Sequence, residues 1–139
     1  MSSISIATLP RMGRDALAAL HRTETTNLAI IDVRDSDHVG GHIRSSIWVP
    51  TPMLDVRMPE LIRTLKDKKM VVFHCALSQQ RGPSAALRYA RAREIALGPV
   101  ESQNQQVFVL HGGFVEWQQK YGNDLQLTEA YAADIWEEY

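Results

Sequence analysis

A single cysteine, Cys75, stands in the 139 residues. A lone thiol cannot close an internal disulfide, and metal sites built from two cysteine pairs are excluded. It suits a reducing compartment, so the chain is expected in the cytoplasm. The nucleus is a second expected location for so small a protein, although no Lys/Arg-rich run argues for import. Charge of neither sign dominates. Lys and Arg number 15 against 16 Asp and Glu, a net charge of -1. No basic field is present to recruit nucleic acid or an acidic membrane surface. No apolar run approaches the length of a membrane span, and "MSSISIATLP" is too short and too polar for a secretory signal. Internal repeats and low-complexity tracts are absent. The length suits one domain, residues 1–139, and a hydrophobic content of 45% is ordinary for a globular core.

Strand-like and helix-like segments alternate. "ISIATL" (4–9) alternates briefly and reads as a first strand, and Pro10 precedes a helix with Ala16, Leu17 and Leu20 on one face. "NLAIIDVR" (27–34), "KMVVFH" (69–74) and "VFVL" (107–110) are continuous apolar runs, as strands buried on both faces should be. "SIWVP" (46–50) reads as a short strand. Pro59 should interrupt any helix begun at Thr51, which predicts an irregular turn followed by a helix from about Pro59 to Lys66. Pro83 suits the first position of a long Ala-rich helix that Gly98-Pro99 stops. "HGGFVEWQQKYG" (111–122) turns through glycines into a helix, and a last helix is expected over 128–139. The alternation predicts an α/β fold, a mainly parallel sheet with helices on both faces. Ligands in such sheets sit beyond the carboxyl ends of the strands, where Cys75 falls.

The stretch "FHCALSQQRGPSA" (73–85) joins a strand to a helix through Cys75, five residues and Arg81. Successive backbone amides in such a loop can form a concave nest for a tetrahedral oxyanion. The helix that follows adds the positive end of its dipole, and Arg81 offers a planar two-point fork. The same field favours thiolate over thiol at Cys75, which would then be an in-line nucleophile. Ser78 can donate its hydroxyl to the thiolate or to the loop backbone. A free cysteine after an apolar strand is often only a small buried hydrophobe. Here the strand before, the helix after and the absence of any other cysteine favour chemistry. His74 adjoins Cys75 and should point to the opposite face, so it is no base for the thiol; it anchors the loop or fills the core. His38 and His42 are spaced like helix-borne metal ligands, but Val39-Gly40-Gly41 between them is a poor helix, so no metal is expected.

These residues resemble a known family. "HCALSQQRGP" is similar to the active-site loop of the cell-division-cycle dual-specificity phosphatases (M-phase inducer type) and of the related yeast-type arsenate reductases, both of the rhodanese fold. "IIDVRDSDHVGGHIRSSIWVP" (30–50) resembles the rhodanese signature Asp-x-Arg followed by Gly-His-Ile. "VLHGGFVEW" (109–117) resembles its carboxyl-terminal Gly-Gly element. The likeness runs over about residues 3 to 122, is strongest to the small single-domain fungal and plant members, and implies a rhodanese-like domain with a five-stranded, mostly parallel sheet flanked by helices. It implies that Cys75 is the nucleophile and Arg81 the phosphate-binding arginine, with Ala76, Leu77, Ser78, Gln79 and Gln80 forming the oxyanion loop. It implies supporting roles for His74, Asp32 and Arg34, the last two as a structural ion pair, and for His42. Trp48 and Trp117 are expected in the core.

The departures matter. The cell-cycle enzymes carry glutamates in this loop where Ala76 and Gln80 stand here, and neither can donate a proton as a carboxylic acid does. The resemblance implies an enzyme making a phosphocysteine from a phosphoprotein, or an arsenate reductase drawing on glutathione or glutaredoxin as external reductant. No bound cofactor is expected in either case. Sulfur transfer is disfavoured, because typical sulfurtransferases have a loop one residue shorter. A silent phosphoprotein-binding module is the non-enzymatic alternative. The substrate would be a phosphoprotein or a free oxyanion, and the assembly a monomer or weak homodimer.

Overall fold

The computed structural model describes residues 4–137. In chain order its elements are β1 (Arg11–Met12), α1 (Arg14–Thr23), β2 (Leu28–Asp32), β3 (His42–Ile43), β4 (Ile47–Trp48), α2 (Leu54–Thr64), β5 (Met70–His74), α3 (Arg81–Leu97), β6 (Gln106–Leu110), α4 (Gly113–Tyr121) and β7 (Thr128–Glu129). Five strands pair in the order β1-β6-β5-β2-β4, every pair parallel. The two remaining short strands, β3 and β7, pair antiparallel in a separate ribbon.

The apolar runs become the central strands because both faces are covered. Ile31, Phe73 and Val109 share one face and pack with Leu54 and Leu61 of α2 and Ala86 and Tyr89 of α3. Ile30, Val72 and Leu110 share the other and pack with Leu17 of α1 and Phe114 and Trp117 of α4. Side-chain alternation along a strand, with Asp32 in register with His74, brings the carboxyl ends of β2 and β5 to one edge. The Cys75 loop springs from that edge, as the sequence implied.

Several local expectations are corrected. "ISIATL" is not a strand. Residues Ile6–Thr8 form a 3-10 turn closed by a reciprocal cap in which Ser5 and Thr8 bond each other's backbone amide. Such side-chain-to-backbone bonds compete with strand pairing, and the strand role passes to Arg11–Met12 beside β6. Pro59 lies inside α2 instead of starting it. An interior proline costs about 3 kcal/mol. Burying Leu54, Met58, Leu61 and Leu65 at helical spacing against the sheet returns about 2 kcal/mol each, which outweighs it. Pro83 is the third residue of α3, whose first is Arg81; its missing amide hydrogen still falls in the unbonded first turn.

No helix covers 128–137. Thr128–Glu129 pairs with His42–Ile43, and Ala133–Trp136 is a 3-10 turn; Glu138 and Tyr139 lie outside the described residues. Trp48 is 46% exposed and so is not a core residue, whereas Trp117 is fully buried. No helix among the described residues is long and apolar enough to cross a membrane.

Candidate active site

Cys75 is only 3% exposed and sits at the floor of a concavity of about 260 Å³ lined also by Ala76, Leu77, Gln79, Gln80 and Arg81. Its Sγ accepts a hydrogen bond from the amide of Ser78 at 3.2 Å, and its own amide donates to Ser78 Oγ at 3.3 Å. Ser78 thus clasps both ends of the nucleophile residue. Its hydroxyl serves as an acceptor, and its amide, not the hydroxyl, reaches sulfur. This turn holds Ser78 at φ 56, and Arg11 Nη1 braces it by donating to the Ser78 carbonyl at 3.0 Å.

The start of α4 orients the loop. The amides of Phe114 and Val115 donate to the carbonyls of Cys75 and Ala76, each at 3.0 Å. A trans peptide is planar, so a carbonyl pinned on one side turns the next amide to the other. The amides of Ala76 and Leu77 therefore face away from α4. The amides of Ala76, Leu77, Gln79 and Gln80 find no acceptor among the described residues. The close approach requires glycine: a Cβ on Gly113 would meet the carbonyl oxygens of Ala76 and Cys75 at 2.4 and 2.5 Å, at a φ of +59. Gly113 and Arg11 are site residues that motif reading left without a role. The glycine pair before α4 was the available signal for the first; nothing in the sequence marked the second.

Beneath the loop lies a buried polar layer. The guanidinium of Arg34 donates from Nη2 to Asp32 Oδ2 at 2.7 Å and from Nε at 3.1 Å, and both side chains are fully buried. Nη2 also donates to the Gly41 carbonyl at 2.8 Å, and the guanidinium stacks over Phe114. Burial pushes the Asp32 carboxyl up, but the facing His74 and Arg34 outweigh it and hold the group below the usual carboxylate range. Arg34 is committed to this pair and to Gly41, and it does not line the concavity. His74 Nδ1 lies 3.0 Å from the Cys75 carbonyl, which can only accept, so the proton sits on Nδ1. Burial lowers the His74 pKa, against the opposing pull of Asp32. His74 is an anchor on the far face from the thiol.

Arg81 begins α3 and turns its fork to the segment after β2. Nη1 and Nη2 donate to the two carboxylate oxygens of Asp37 at 2.9 and 2.6 Å, and Asp35 Oδ2 lies 3.6 Å from Nη1. The Asp37 hydrogen bond, more than any other contact, raises the Arg81 pKa; Cys75 and Asp35 add to it. The same bond holds Asp37 down at about 2. Sequence reading missed Asp35 and Asp37. The signal was the acidic "DSD" in a turn that the strand order brings opposite Arg81.

The histidines form no metal centre. His38 stacks on Trp48 with ring centroids 4.3 Å apart, and His42 faces Glu129 at 3.3 Å. Among the described residues, no group of three or more His, Cys, Asp or Glu could hold a metal ion.

Comparisons with known proteins agree with this arrangement. The family model of the Rhodanese-like domain matches residues 15–120. The CDC25-like phosphatase YCH1 of Saccharomyces cerevisiae is 39% identical over 118 residues, covering 77% of this chain and 76% of that one. Arsenate reductase 2.2 of Oryza sativa subsp. japonica is 34% identical over 119 residues, covering 85% of this chain and 82% of that one. A solved yeast protein tyrosine phosphatase of the Rhodanese family superposes with a TM-score of 0.77 at 33% identity, covering 96% of this chain and 99% of that one.

Proposed function

This chain belongs to the rhodanese-like domain family, and we propose that within it the protein is a cysteine-dependent phosphatase acting through a phosphocysteine. One observation carries the reading. Cys75 lies at the floor of a loop whose carbonyls are tied back to α4, leaving its amides free for an oxyanion. The phosphate oxygens bind these amides, and Arg81 leaves Asp37 to grip two of them. The Cys75 thiolate then attacks phosphorus in line, an S–P bond forms and the O–P bond to the leaving group breaks with its electron pair on oxygen. Water hydrolyses the S–P bond, returning the thiolate and releasing phosphate.

The loop itself offers no carboxylic acid to the leaving group. Ala76 and Gln80 have none to offer, and Asp37, with a pKa of about 2, is ionised at neutral pH. Unassisted departure favours phenols, with a pKa near ~10, over alcohols. Turnover is therefore expected to be faster on aryl phosphates, phosphotyrosine included, than on phosphoserine peptides. Equal rates on both would contradict the assignment. The substrate is a phosphoprotein or small aryl phosphate.

The same cradle suits arsenate, whose shape and charge match phosphate, and the named relatives include an arsenate reductase. In that second reading Cys75 bonds arsenic, and an external thiol such as glutathione, or glutaredoxin, completes the two-electron reduction. One set of assays separates the readings. Phosphate release from an aryl phosphate, abolished in Cys75→Ser, supports the phosphatase. Arsenite formation that needs glutathione and glutaredoxin, without phosphate release, favours the reductase. Neither activity in folded protein would leave a binding module.

A further inference from the structure

The Asp37–Arg81 contact reproduces what an oxyanion would do. Two oxygens of one planar edge meet the two terminal nitrogens of the guanidinium, at 2.9 and 2.6 Å. Both partners sit where the strand order places them, since Asp37 follows β2 and Arg81 follows β5, adjacent parallel strands. The carboxylate is also held independently of Arg81. The Asp35 amide donates to Asp37 Oδ1 at 2.8 Å, and Thr51 fixes the Asp35 carboxylate through its amide at 2.8 Å and its hydroxyl at 2.7 Å. Asp37 therefore stays poised when Arg81 departs.

We infer that Asp37 is an internal competitor for the oxyanion: its carboxylate occupies Arg81 until substrate displaces it, and it reclaims Arg81 as product phosphate leaves. The inference rests on the reading of the Cys75 loop as an oxyanion cradle. Binding must separate one charge-assisted pair to form another, so affinity is lower than the loop amides and a free arginine would give. An Asp37 that instead oriented Arg81 for the ligand would act in the opposite direction. The two differ in sign, because a competitor weakens binding and an orienting partner strengthens it.

The size of the effect follows from the strength of the pair. A carboxyl held at about 2 against an ordinary 3.8 is coupled to its surroundings by a factor of about 60. The side chains of Arg81 and Asp37 are 34% and 39% exposed, so water screens the contact, and about tenfold is expected.

The test titrates inorganic phosphate into 15N-labelled wild type, Asp37→Asn, Asp37→Ser and Arg81→Ala, following amide shifts of the loop. The competitor predicts about tenfold tighter phosphate binding in Asp37→Asn, with Asp37→Ser moving the same way, and a matching fall in the inhibition constant for product phosphate. Unchanged or weaker binding in folded Asp37 variants overturns it. If Arg81→Ala abolishes binding while the Asp37 variants bind like wild type, the cradle stands and the competitor fails. If wild type and the Asp37 variants show no phosphate binding, the cradle reading fails as well.

Discussion

Replacing Gly113 by alanine probes how the loop is built. The residue sits at φ +59, and a non-glycine residue there costs about 1 kcal/mol. Its Cβ would meet the backbone oxygens of Ala76 and Cys75 at 2.4 and 2.5 Å, so backbone must move, at about 1–3 kcal/mol. That movement weakens the hydrogen bonds from Phe114 and Val115 to the same carbonyls, about 1 kcal/mol each. The total is about 4–6 kcal/mol. Gly112→Ala is the matched control. It too has a positive φ, of +75, but the three atoms nearest its Cβ all belong to the flexible Glu116 side chain, so about 1–2 kcal/mol is expected. Urea unfolding of both variants measures the difference. The carbonyls tied back by α4 are also what aim the loop amides, and losing one oxyanion donor costs ~10²-fold or more in rate. Gly113→Ala should lose at least that much aryl phosphatase activity, and Gly112→Ala far less. If the two variants match in stability and activity, α4 does not orient the loop and the derivation fails.

Three further outcomes follow from the buried layer and the clasp. Asp32→Asn leaves the wholly buried Arg34 without its counter-charge and should cost about 3–5 kcal/mol in thermal unfolding; a loss under about 1 kcal/mol would contradict the ion-pair assignment. Ser78→Ala strands the buried Cys75 amide and should lower kcat/KM about tenfold, corresponding to about 1.4 kcal/mol; wild-type kinetics would show that the clasp is dispensable. Burial lowers the pKa of His74 and of the partly exposed His38, so below about pH 6.5 the unfolded chain binds protons that the native chain does not. Stability should thus fall as pH drops from there, by up to about 1.4 kcal/mol per pH unit per histidine, and urea midpoints at pH 7 and 5.5 should converge in His74→Asn.

The central buried strands and the Cys75 loop were legible because their causes are local. β2 and β5 are apolar runs buried on both faces, and the loop announces itself by a thiol between such a run and Arg-Gly-Pro. Asp32 and Arg34 were read as a structural pair, and the structure places them so, fully buried. The misreadings arose where distant packing decides. Pro59 forbids a helix by its own chemistry, yet the stripe from Leu54 to Leu65 holds one against the sheet. The segment after Leu127 looks helical alone but pairs with His42–Ile43, 85 residues earlier or more, which no local pattern encodes. Asp37 escaped notice for the same reason, since its partner Arg81 is 44 residues away and meets it only across adjacent strands. Trp48 is exposed because it stacks on His38 and donates its indole N–H to the Arg34 carbonyl at the end of the sheet, an arrangement hydrophobicity alone does not reveal.

The central claim is that Cys75 attacks an oxyanion held by the loop and becomes covalently phosphorylated. The most direct measurement is acid-quenched mass spectrometry of the protein during turnover of an aryl phosphate, wild type beside Cys75→Ser. The account predicts one phosphoryl group on the Cys75 peptide of the wild type, none on the variant, and no phosphate release by the variant. Phosphate release that persists in Cys75→Ser, or that proceeds in wild type with no adduct on Cys75 even under rapid quench, would contradict it.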